Sequence, residues 1–504
     1  MIDIVLDNRL RIPLEGLPAN VVSELRLEFQ HRNPDYWKAK SRGFYARNIP
    51  QHISTWKNED GHLSLPRGGW KRVKSILVAK GIQYRVIDRR SLGEAISPPA
   101  HLITPYDYQE RCISTALEKE NCIIKSPTGS GKSTMCLALA SRLPCPTLII
   151  VNSSRLLDQW VKRTQSEMNF EAGVIQGKNF DLKPVTIAMQ QTLWRLSDEK
   201  WETLNKYFGA VVADEVDLFA ANTFIKAIDR FTCKYRIGVS ADHTRKDGKH
   251  FLLHDVFGNV CAEVTKEELI ERKFVLDVEV EMMTTDFEAQ WYRNQQTAYR
   301  MRMAGESHAA IYEELLKYNP DMKPEEVPKG NPDYNQLIDE MIVDEGRNRL
   351  ILAKAQELVL SKKRTIILTE RVDHCKYLAD QLRMMGISCG LLIGEEENAE
   401  EFQACINGLA SGTIAVGVGT RHAFGRGIDV PAIDEGIIAT VVHTNKQLFG
   451  QIRGRMCRTA PGKTQARLWY LYDREVFGNA PVKNLTGWNR VCKVDGISSK
   501  EWMK

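Results

Sequence analysis

The sequence lacks the features by which membrane, secreted and zinc-binding proteins are usually recognised. No apolar run approaches the roughly 18 residues that a membrane-spanning helix needs, and stretches such as Thr147–Val151 have the length of a buried strand. Asp3 and Asp7 interrupt the apolar N-terminus, so no signal peptide is predicted. The 11 cysteines are scattered and include no C-x-x-C pair, which argues against a zinc cage and a disulfide framework. We therefore expect a cytoplasmic protein.

Length and composition indicate a globular protein of several domains. At ~150 residues per domain, a chain of 504 residues corresponds to about three domains. Hydrophobic residues make up 43% and charged residues 26%, which is ordinary for a soluble protein. A chain of this length buries several cores without disulfides.

Positive charge is concentrated near the N-terminus. The formal net charge is +5, but residues 31–90 carry 14 Lys/Arg against 4 Asp/Glu, so the remaining residues sum to −5. The aromatic residues interleaved with these cations are Tyr36, Trp37, Phe44, Tyr45, Trp56, Trp70 and Tyr84. This bias predicts a small polyanion-binding module on a slightly acidic body. The alternative is a small domain whose aromatic residues fill its core while its cations are only solvated.

Short apolar runs alternate with amphipathic stretches in two parts of the chain, which predicts two parallel α/β sheets. In the first part we expect strands at Cys122–Lys125, Thr147–Val151, Val185–Met189, Ala210–Ala213 and Tyr235–Val239, and helices at Lys132–Arg142 and Arg155–Glu167. In the second part we expect strands at Thr365–Thr369, Ile414–Val418, Gly436–Val441 and Leu468–Tyr472, and helices at Asn348–Leu360 and His374–Met385.

These patterns divide the chain into four segments. We expect a basic N-terminal nucleic-acid-binding domain of α+β type at 1–95 and the first α/β domain at 96–275. A polar, helix-prone insertion or linker is expected at 276–345, and the second α/β domain at 346–504.

A glycine-rich loop follows the first predicted strand and opens a helix, which is the context of a phosphate-binding loop. Its residues are Ser126, Pro127, Thr128, Gly129, Ser130, Gly131, Lys132 and Ser133. The glycines let backbone N–H groups surround phosphate oxygens, and the helix N-terminus adds a positive field. Lys132 is expected to reach the β- and γ-phosphates of ATP, and the Ser133 hydroxyl to coordinate Mg²⁺. Ser126 stands where the full pattern has glycine.

An acidic tetrapeptide, Asp214 to Asp217, ends the predicted strand at 210–213. We expect Asp214 to hold Mg²⁺ through water opposite Ser133, and Glu215 to orient and deprotonate the attacking water. By itself such a tetrapeptide is usually a solvated turn; here it ends a buried strand in the same domain as the phosphate-binding loop.

With these two elements the chain resembles the superfamily 2 helicases and translocases, which implies two tandem RecA-like domains. Pro105–Gln109 is similar to the adenine-reading element of that family, with Gln109 matching its glutamine. Leu148–Trp160 is similar to motif Ia and Thr186–Gln190 to motifs Ib and Ic, which implies that Arg155 and Thr186 contact nucleic acid. Ser240–Asp242 matches motif III only in part.

The second α/β domain carries the decisive match. Gln451–Arg458 is similar to motif VI, which implies catalytic roles for Gln451, Arg455 and Arg458; an arginine supplied across a cleft neutralises charge on the γ-phosphate. Gly425–Pro431 resembles motif V, and on that resemblance Asp429 is assigned to nucleotide binding.

Finer details favour one branch of the family. D-E-V-D resembles the DEAD-box RNA helicases, but their T-P-G-R element is missing. The run Ser240–Gly248 instead resembles the branch of XPB-like helicases and restriction translocases, and the N-terminal segment resembles that of UvsW-type branch-migration helicases of phages. This resemblance implies that the N-terminal module grips DNA through Arg67, Lys71, Arg72 and Lys74.

We expect an ATP- and Mg²⁺-dependent DNA helicase that unwinds or branch-migrates forked, junction or single-stranded DNA in recombination, replication or repair. If phage-encoded, it would work in the host cytoplasm, away from membranes, and no obligate protein partner is indicated. The alternatives are a duplex-DNA translocase that does not separate strands, an RNA helicase, and a non-catalytic clamp that senses nucleotide.

Overall fold

The computed structural model describes residues 1–41, 48–218, 227–241, 247–393, 399–421, 424, 430–440 and 446–503. The chain forms two compact units, Met1–Leu269 and Ile270–Lys504.

The first unit begins with a small α+β domain. Its strands are β1 (Ile2–Leu6), β2 (Arg9–Pro13), β3 (Gln30–Arg32), β4 (His52–Ser54), β5 (Lys57–Glu59), β6 (His62–Pro66) and β7 (Tyr84–Asp88). Its helices are α1 (Ala19–Glu28), α2 (Pro34–Ser41) and α3 (Trp70–Ala79), with a 3-10 turn at Arg67–Gly69. Five strands form a sheet in the order β5-β6-β2-β1-β7, and β3 pairs with β4. Alternate residues of β1 face a core with α1 and α3, as the period of a half-buried strand requires.

An eight-stranded sheet fills the rest of the first unit. Its strands are β8 (Asn121–Lys125), β9 (Thr147–Val151), β10 (Gly173–Gln176), β11 (Asn179–Phe180), β12 (Val185–Met189), β13 (Ala210–Asp214), β14 (Tyr235–Ser240) and β15 (Val260–Glu263). The helices are α4 (Asp107–Lys119), α5 (Lys132–Ala140), α6 (Ser154–Met168), α7 (Gln190–Leu193), α8 (Asp198–Tyr207), α9 (Phe251–Phe257) and α10 (Lys266–Glu271), with a 3-10 turn at Val216–Leu218. The order is β11-β10-β12-β9-β13-β14-β8-β15, and all neighbours except β10 and β11 are parallel.

Buried charged groups join the small domain to this sheet. Arg67 is 3% exposed and donates to the carbonyl of Cys233 (2.6 Å) and to Oδ1 of Asn121 (2.9 Å). Asp255, at 1% side-chain exposure, accepts from Thr55 Oγ1 (2.6 Å) and contacts His31 Nε2 (2.9 Å). Because buried charges are tolerated only when they are paired and hydrogen-bonded, these contacts fix where the small domain docks.

The second unit is built on another eight-stranded sheet. Its strands are β16 (Val278–Thr284), β17 (Thr365–Thr369), β18 (Cys389–Leu392), β19 (Val416–Thr420), β20 (Glu435–Ile438), β21 (Ala466–Tyr472), β22 (Cys492–Val494) and β23 (Ile497–Ser498). The helices are α11 (Gln290–Met303), α12 (His308–Leu316), α13 (Tyr334–Val343), α14 (Glu345–Leu360), α15 (Val372–Met384), α16 (Ala399–Ser411), α17 (Lys446–Met456), α18 (Arg474–Phe477), α19 (Ala480–Trp488) and α20 (Ser499–Trp502), with a 3-10 turn at Pro324–Glu326. The order is β18-β19-β17-β20-β21-β16-β22-β23, parallel except for β22 and β23.

The predicted fold class, two tandem RecA-like parallel-sheet domains behind a small α+β domain, is confirmed. One boundary needs correction, because residues 278–284, which we placed in the linker, form β16 inside the second sheet. The remainder of that segment is helical, as predicted, with α11, α12 and α13. Within the described ranges, every helix is too short or too polar to cross a membrane.

Candidate functional site

The predicted phosphate-binding loop lies between the end of β8 and the start of α5. Gly129 (φ +91°) and Gly131 (φ +75°) adopt left-handed backbone conformations, which L side chains rarely tolerate. They turn the chain so that α5 starts at Lys132. The loop therefore precedes a helix N-terminus, the arrangement that binds phosphate groups.

Ser126 takes the place of a glycine because its position does not need one. It is fully buried and lies outside the left-handed region. Its hydroxyl donates to Ser130 Oγ (2.6 Å), which in turn donates to the Pro127 carbonyl (2.7 Å). The Ser126 side chain therefore stabilises the loop through a buried hydrogen bond.

Residues of α4 hold the other side of the loop. Tyr108 Oη and Gln109 Nε2 both donate to the Ser130 carbonyl, at 2.9 Å and 3.0 Å. Gln109 Oε1 also accepts from the backbone N–H of Tyr106 (2.9 Å). An amide carries two donor hydrogens and two acceptor lone pairs, so these two bonds use one of each on Gln109, which is buried. Its adenine-reading role stays a prediction.

The charges of Lys132 and Asp214 interact with each other near the carboxyl ends of the strands. Lys132 Nζ donates to the Pro127 carbonyl across the loop (3.3 Å). Asp214 ends β13, which is separated from β8 by β14 alone. Asp214 is 6% exposed, and its carboxylate accepts from the indole N–H of Trp160 (3.0 Å). Burial raises the pKa of Asp214, while the charge of Lys132 and the Trp160 hydrogen bond act in the opposite direction.

Two further features distinguish the acidic segment from a solvated turn. Glu215 has φ +51°, a strained conformation for a residue with a side chain. Ser240, at the end of β14, donates its hydroxyl to Asp217 Oδ1, and its carbonyl accepts from the backbone N–H of Ser126 (2.9 Å). Ser240 therefore links the acidic segment directly to the phosphate-binding loop. The neighbouring Asp242 lies outside the described residues.

The oxygen donors present here suit magnesium. Asp214 offers a buried carboxylate whose charge is otherwise disfavoured by burial, and Ser133 offers a hydroxyl in the first turn of α5. In the described part of the chain, no cluster of three or more His, Cys, Asp or Glu residues could hold a metal ion by itself. Mg²⁺ is commonly held by one or two carboxylates together with substrate phosphates and water, so these two residues fit it.

In the second unit, the predicted arginine segment forms the end of α17 and the residues after it. Gln451 and Arg455 are one turn apart on this helix and therefore share a face. Arg458 follows the helix, and its backbone forms an antiparallel bridge with Val275. Asp429 and the rest of 425–429 lie outside the described residues.

A buried lysine fixes the end of that helix. Lys463 Nζ donates to the carbonyls of Met456 (2.6 Å) and Pro431 (2.9 Å). Burial lowers the pKa of Lys463 to about 8. It therefore links Pro431, the last residue of the motif V match, to Met456, which follows Arg455.

Two of the predicted nucleic-acid contacts are wrong. Arg67 is buried in the docking interface of the small domain, where burial lowers its pKa to about 9. Thr186 is fully buried in β12, and its hydroxyl donates to the Lys183 carbonyl (2.7 Å). Both side chains are out of reach of a nucleic acid.

The other predicted contacts differ in how accessible they are. Arg72 is half-buried and pairs with Glu28 (3.2 Å) and Asp255, so much of its charge is already compensated. Lys71 and Lys74 are exposed on α3, and Arg155 is half-buried in the first turn of α6. These residues remain candidates for contact with phosphates.

Two interactions of the site were not anticipated from the sequence. The contact of Trp160 with Asp214 had one signal, since a buried indole N–H needs an acceptor. The two hydrogen bonds of Ser240, to Asp217 and to Ser126, had no signal in the sequence beyond the partial match to motif III.

Comparison with known proteins matches both units to described families. Residues 102–245 match the family described as "Type III restriction enzyme, res subunit", and residues 350–460 match "Helicase conserved C-terminal domain". "Probable helicase D10" of Escherichia phage T5 is 31% identical over 36% of this chain and 40% of its own length. "DNA 3'-5' translocase XPB2" of Sulfurisphaera tokodaii is 30% identical over 32% of this chain and 36% of its own length. The chain thus spans well under two thirds of these curated relatives.

Among solved structures, that titled T4 UvsW aligns with 98% of this chain and 99% of that chain. The sequence identity is 17% and the TM-score 0.41.

Proposed function

Because this chain belongs to the superfamily 2 helicases, we propose that it is an ATP-driven DNA helicase that unwinds or branch-migrates forked and junction DNA. The observation that carries the proposal is the connected site of the first unit. There Ser240 is hydrogen-bonded both to Ser126 of the phosphate-binding loop and to Asp217 of the acidic segment that begins at the end of β13.

We assign the steps of ATP hydrolysis to named side chains. Lys132 binds the β- and γ-phosphates, and the loop N–H groups surround them. Glu215 orients the attacking water and accepts its proton. Arg455 and Arg458 neutralise the charge that develops on the γ-phosphate. Gln451 lies on the same helix face as Arg455 and helps to position the γ-phosphate.

Ser133 and Asp214 would hold magnesium. When bound, Mg²⁺ neutralises phosphate charge and stabilises the leaving oxygens. Asp214 must be ionised for this role, and the Trp160 N–H favours that ionised form.

Contact with the DNA track is proposed to be made chiefly to phosphates, which makes binding tolerant of sequence and sensitive to salt. Lys71 and Lys74 on α3 would add affinity for duplex arms, since both are exposed. A cycle that changes which unit grips the strand converts hydrolysis into motion.

The first test is a gel assay of a synthetic four-way DNA junction with ATP and Mg²⁺. Wild-type protein is expected to convert the junction into duplex arms, and Lys132→Ala protein to leave it intact with hydrolysis reduced at least roughly a hundredfold. Hydrolysis by Lys132→Ala within tenfold of wild type would refute the assignment of the loop.

One relative is named a translocase, which favours duplex translocation without strand separation as a second candidate. An intact junction together with hydrolysis stimulated by duplex DNA would support that candidate. A matched forked RNA is run in parallel, and unwinding of the RNA alone would assign the protein to RNA.

A further inference from the structure

A cationic pocket lies at the end of the second unit, in the last elements of the chain. Its volume is about 280 Å³, and α19, β22, β23 and α20 contribute its lining. Three cations line it, Arg490, Lys493 and Lys500, beside the hydroxyl groups of Thr486, Ser498 and Ser499. We refer to these six residues as the C-terminal pocket. Neither matched family description extends to them, because the second match ends at residue 460.

The charge of the C-terminal pocket is uncompensated. No carboxylate is among its lining residues, and within the described ranges none of its three cations forms an ion pair. The carboxylate of Asp495, in the adjacent turn, is already taken by Thr284, through the backbone N–H (2.9 Å) and Oγ1 (2.5 Å). Other surface cations of this unit do pair with an acid, as Arg371 does with Asp339 and Lys354 with Glu357.

The scaffold beneath the pocket is firmly held. Arg453 of α17 donates to the Trp488 carbonyl (2.6 Å) and to Asn489 Oδ1. Thr486 Oγ1 donates to Ser499 Oγ (2.8 Å), which joins α19 to α20. Preformed sites lose less conformational entropy on binding than flexible ones. Arg453 also lies between Gln451 and Arg455, so the pocket is attached to the helix that carries the arginine motif.

We propose that the C-terminal pocket binds the phosphodiester backbone of nucleic acid. Cations without a paired acid, together with an exposed hydroxyl such as that of Ser498, are the groups that contact phosphate oxygens in nucleic-acid complexes. The described lining residues include no aromatic side chain to stack on a base, so binding there is independent of sequence. A protein partner is the weaker fit, because among the described lining residues there is no large apolar anchor. The proposal rests on the proposed function and adds a contact site to it.

The test compares two variants of the full chain that each lose three positive charges. The first carries Arg490→Gln, Lys493→Gln and Lys500→Gln. The control carries Lys329→Gln, Lys362→Gln and Lys363→Gln, which lie outside the pocket in the same unit. Binding of a fluorescein-labelled oligothymidylate and of a labelled duplex is followed by anisotropy without ATP over a range of salt concentrations. Thermal melting of each variant checks that it folds.

The pocket variant is expected to bind the oligonucleotide roughly tenfold or more weakly, and the slope of log affinity against log salt should fall by about 2. The control should match wild type in affinity and in slope. Competition with inorganic phosphate separates two sources of the ligand, since displacement beyond the effect of ionic strength would assign the pocket to free phosphate and overturn the proposal. A folded pocket variant with wild-type affinity and slope would overturn it as well.

A separate measurement, ATP hydrolysis with and without DNA, tests the proposed function. If wild-type protein hydrolyses no ATP, or hydrolyses it without stimulation by any DNA, the motor assignment fails while the binding comparison still decides the pocket. If DNA stimulates wild type and the pocket variant needs no more DNA for half-maximal stimulation, the motor stands and the pocket does not.

Discussion

At the scale of single residues, the central group of the site is a carboxylate that burial disfavours. Asp214 must be charged to bind a cation, yet its surroundings raise its pKa. The Trp160 N–H is one of the groups that counteract this effect. The tryptophan is therefore a positioning residue for the proposed metal site as well as part of the core.

Replacing Trp160 with phenylalanine tests that role. Loss of a hydrogen bond to the charged form raises the pKa of Asp214 further, so the acid limb of the pH–rate profile should move to higher pH. Hydrolysis at neutral pH should fall roughly threefold to tenfold and recover as the pH rises. The control is Trp201→Phe, an equally buried tryptophan packed on Phe231. Profiles of the two variants that run parallel would contradict the prediction.

The places of residues in the fold were predictable where a short motif dictates them and unpredictable where tertiary packing does. The loop from Ser126 to Ser133 and the acid at Asp214 could be located from spacing alone. Arg67 could not be assigned correctly from the sequence. A cation in a basic segment is expected to contact phosphates, and only the structure shows that Arg67 donates to a carbonyl of another domain instead. Thr186 failed for a similar reason, since every residue of β12 is buried.

At the scale of elements, the phosphate-binding loop shows which glycines are obligatory. Gly131 has φ +75°, and a Cβ there would lie 2.5 Å from Gln109 Nε2. Ser126, in contrast, uses its hydroxyl inside the loop and has an ordinary backbone conformation. The loop therefore keeps its structure although serine stands in place of the usual glycine at position 126, because the serine hydroxyl adds a hydrogen bond inside the loop.

Two substitutions in this loop should behave oppositely. Ser126→Gly is expected to keep hydrolysis within about threefold, because the backbone is unstrained and only a buried hydrogen bond is lost. Gly131→Ala should reduce hydrolysis by roughly a hundredfold, through strain and collision with Gln109. Gly177→Ala is the control, since it has φ +59° with nothing within 4 Å of the added Cβ. Steady-state ATP hydrolysis measures all three, and equal losses in Gly131→Ala and Gly177→Ala would contradict the argument.

The strands were predicted well because buried parallel strands are short and almost wholly apolar. Thr147–Val151, Val185–Met189 and Thr365–Thr369 form at the predicted residues. Strand β16 was missed because it alternates, with Glu279 and Glu281 between buried apolar residues. Arg467 of β21 pairs with both acids, at 3.2 Å and 3.8 Å, which allows this alternating strand to lie within a parallel sheet.

At the scale of the whole molecule, the small N-terminal domain is an integral part of the first unit. Three of the cations that make this domain basic, Arg9, Arg67 and Arg72, are occupied by groups of the neighbouring sheet domain. Net charge alone therefore overstated the surface available to DNA. The exposed cations of α3, Lys71 and Lys74, are what remains of the predicted patch on that helix.

Substitutions on the two sides of this domain should separate stability from binding. Arg67→Met leaves the carbonyls of Cys233 and Asp7 and the Asn121 amide without their donor, so the free energy of unfolding should fall by about 3 kcal/mol. The slope of DNA affinity against salt should not change. The double variant Lys71→Gln, Lys74→Gln should show the reverse, with unchanged melting and a slope smaller by about 2.

Thermal melting and salt-dependent DNA binding of both proteins check this pair of expectations. A smaller slope in folded Arg67→Met protein would restore Arg67 as a DNA contact. An unchanged slope in the lysine variant would remove α3 from the DNA-binding surface.

The position of β16 in the second sheet affects how the chain folds during its synthesis. It is the first strand of the second unit to leave the ribosome, yet its partners β21 and β22 are among the last. Throughout that interval the nascent chain carries an unpaired strand with an apolar face. Pairings between such distant segments form slowly, and an open strand edge invites association with other chains. We therefore expect a message truncated before Ala466 to yield an aggregating fragment.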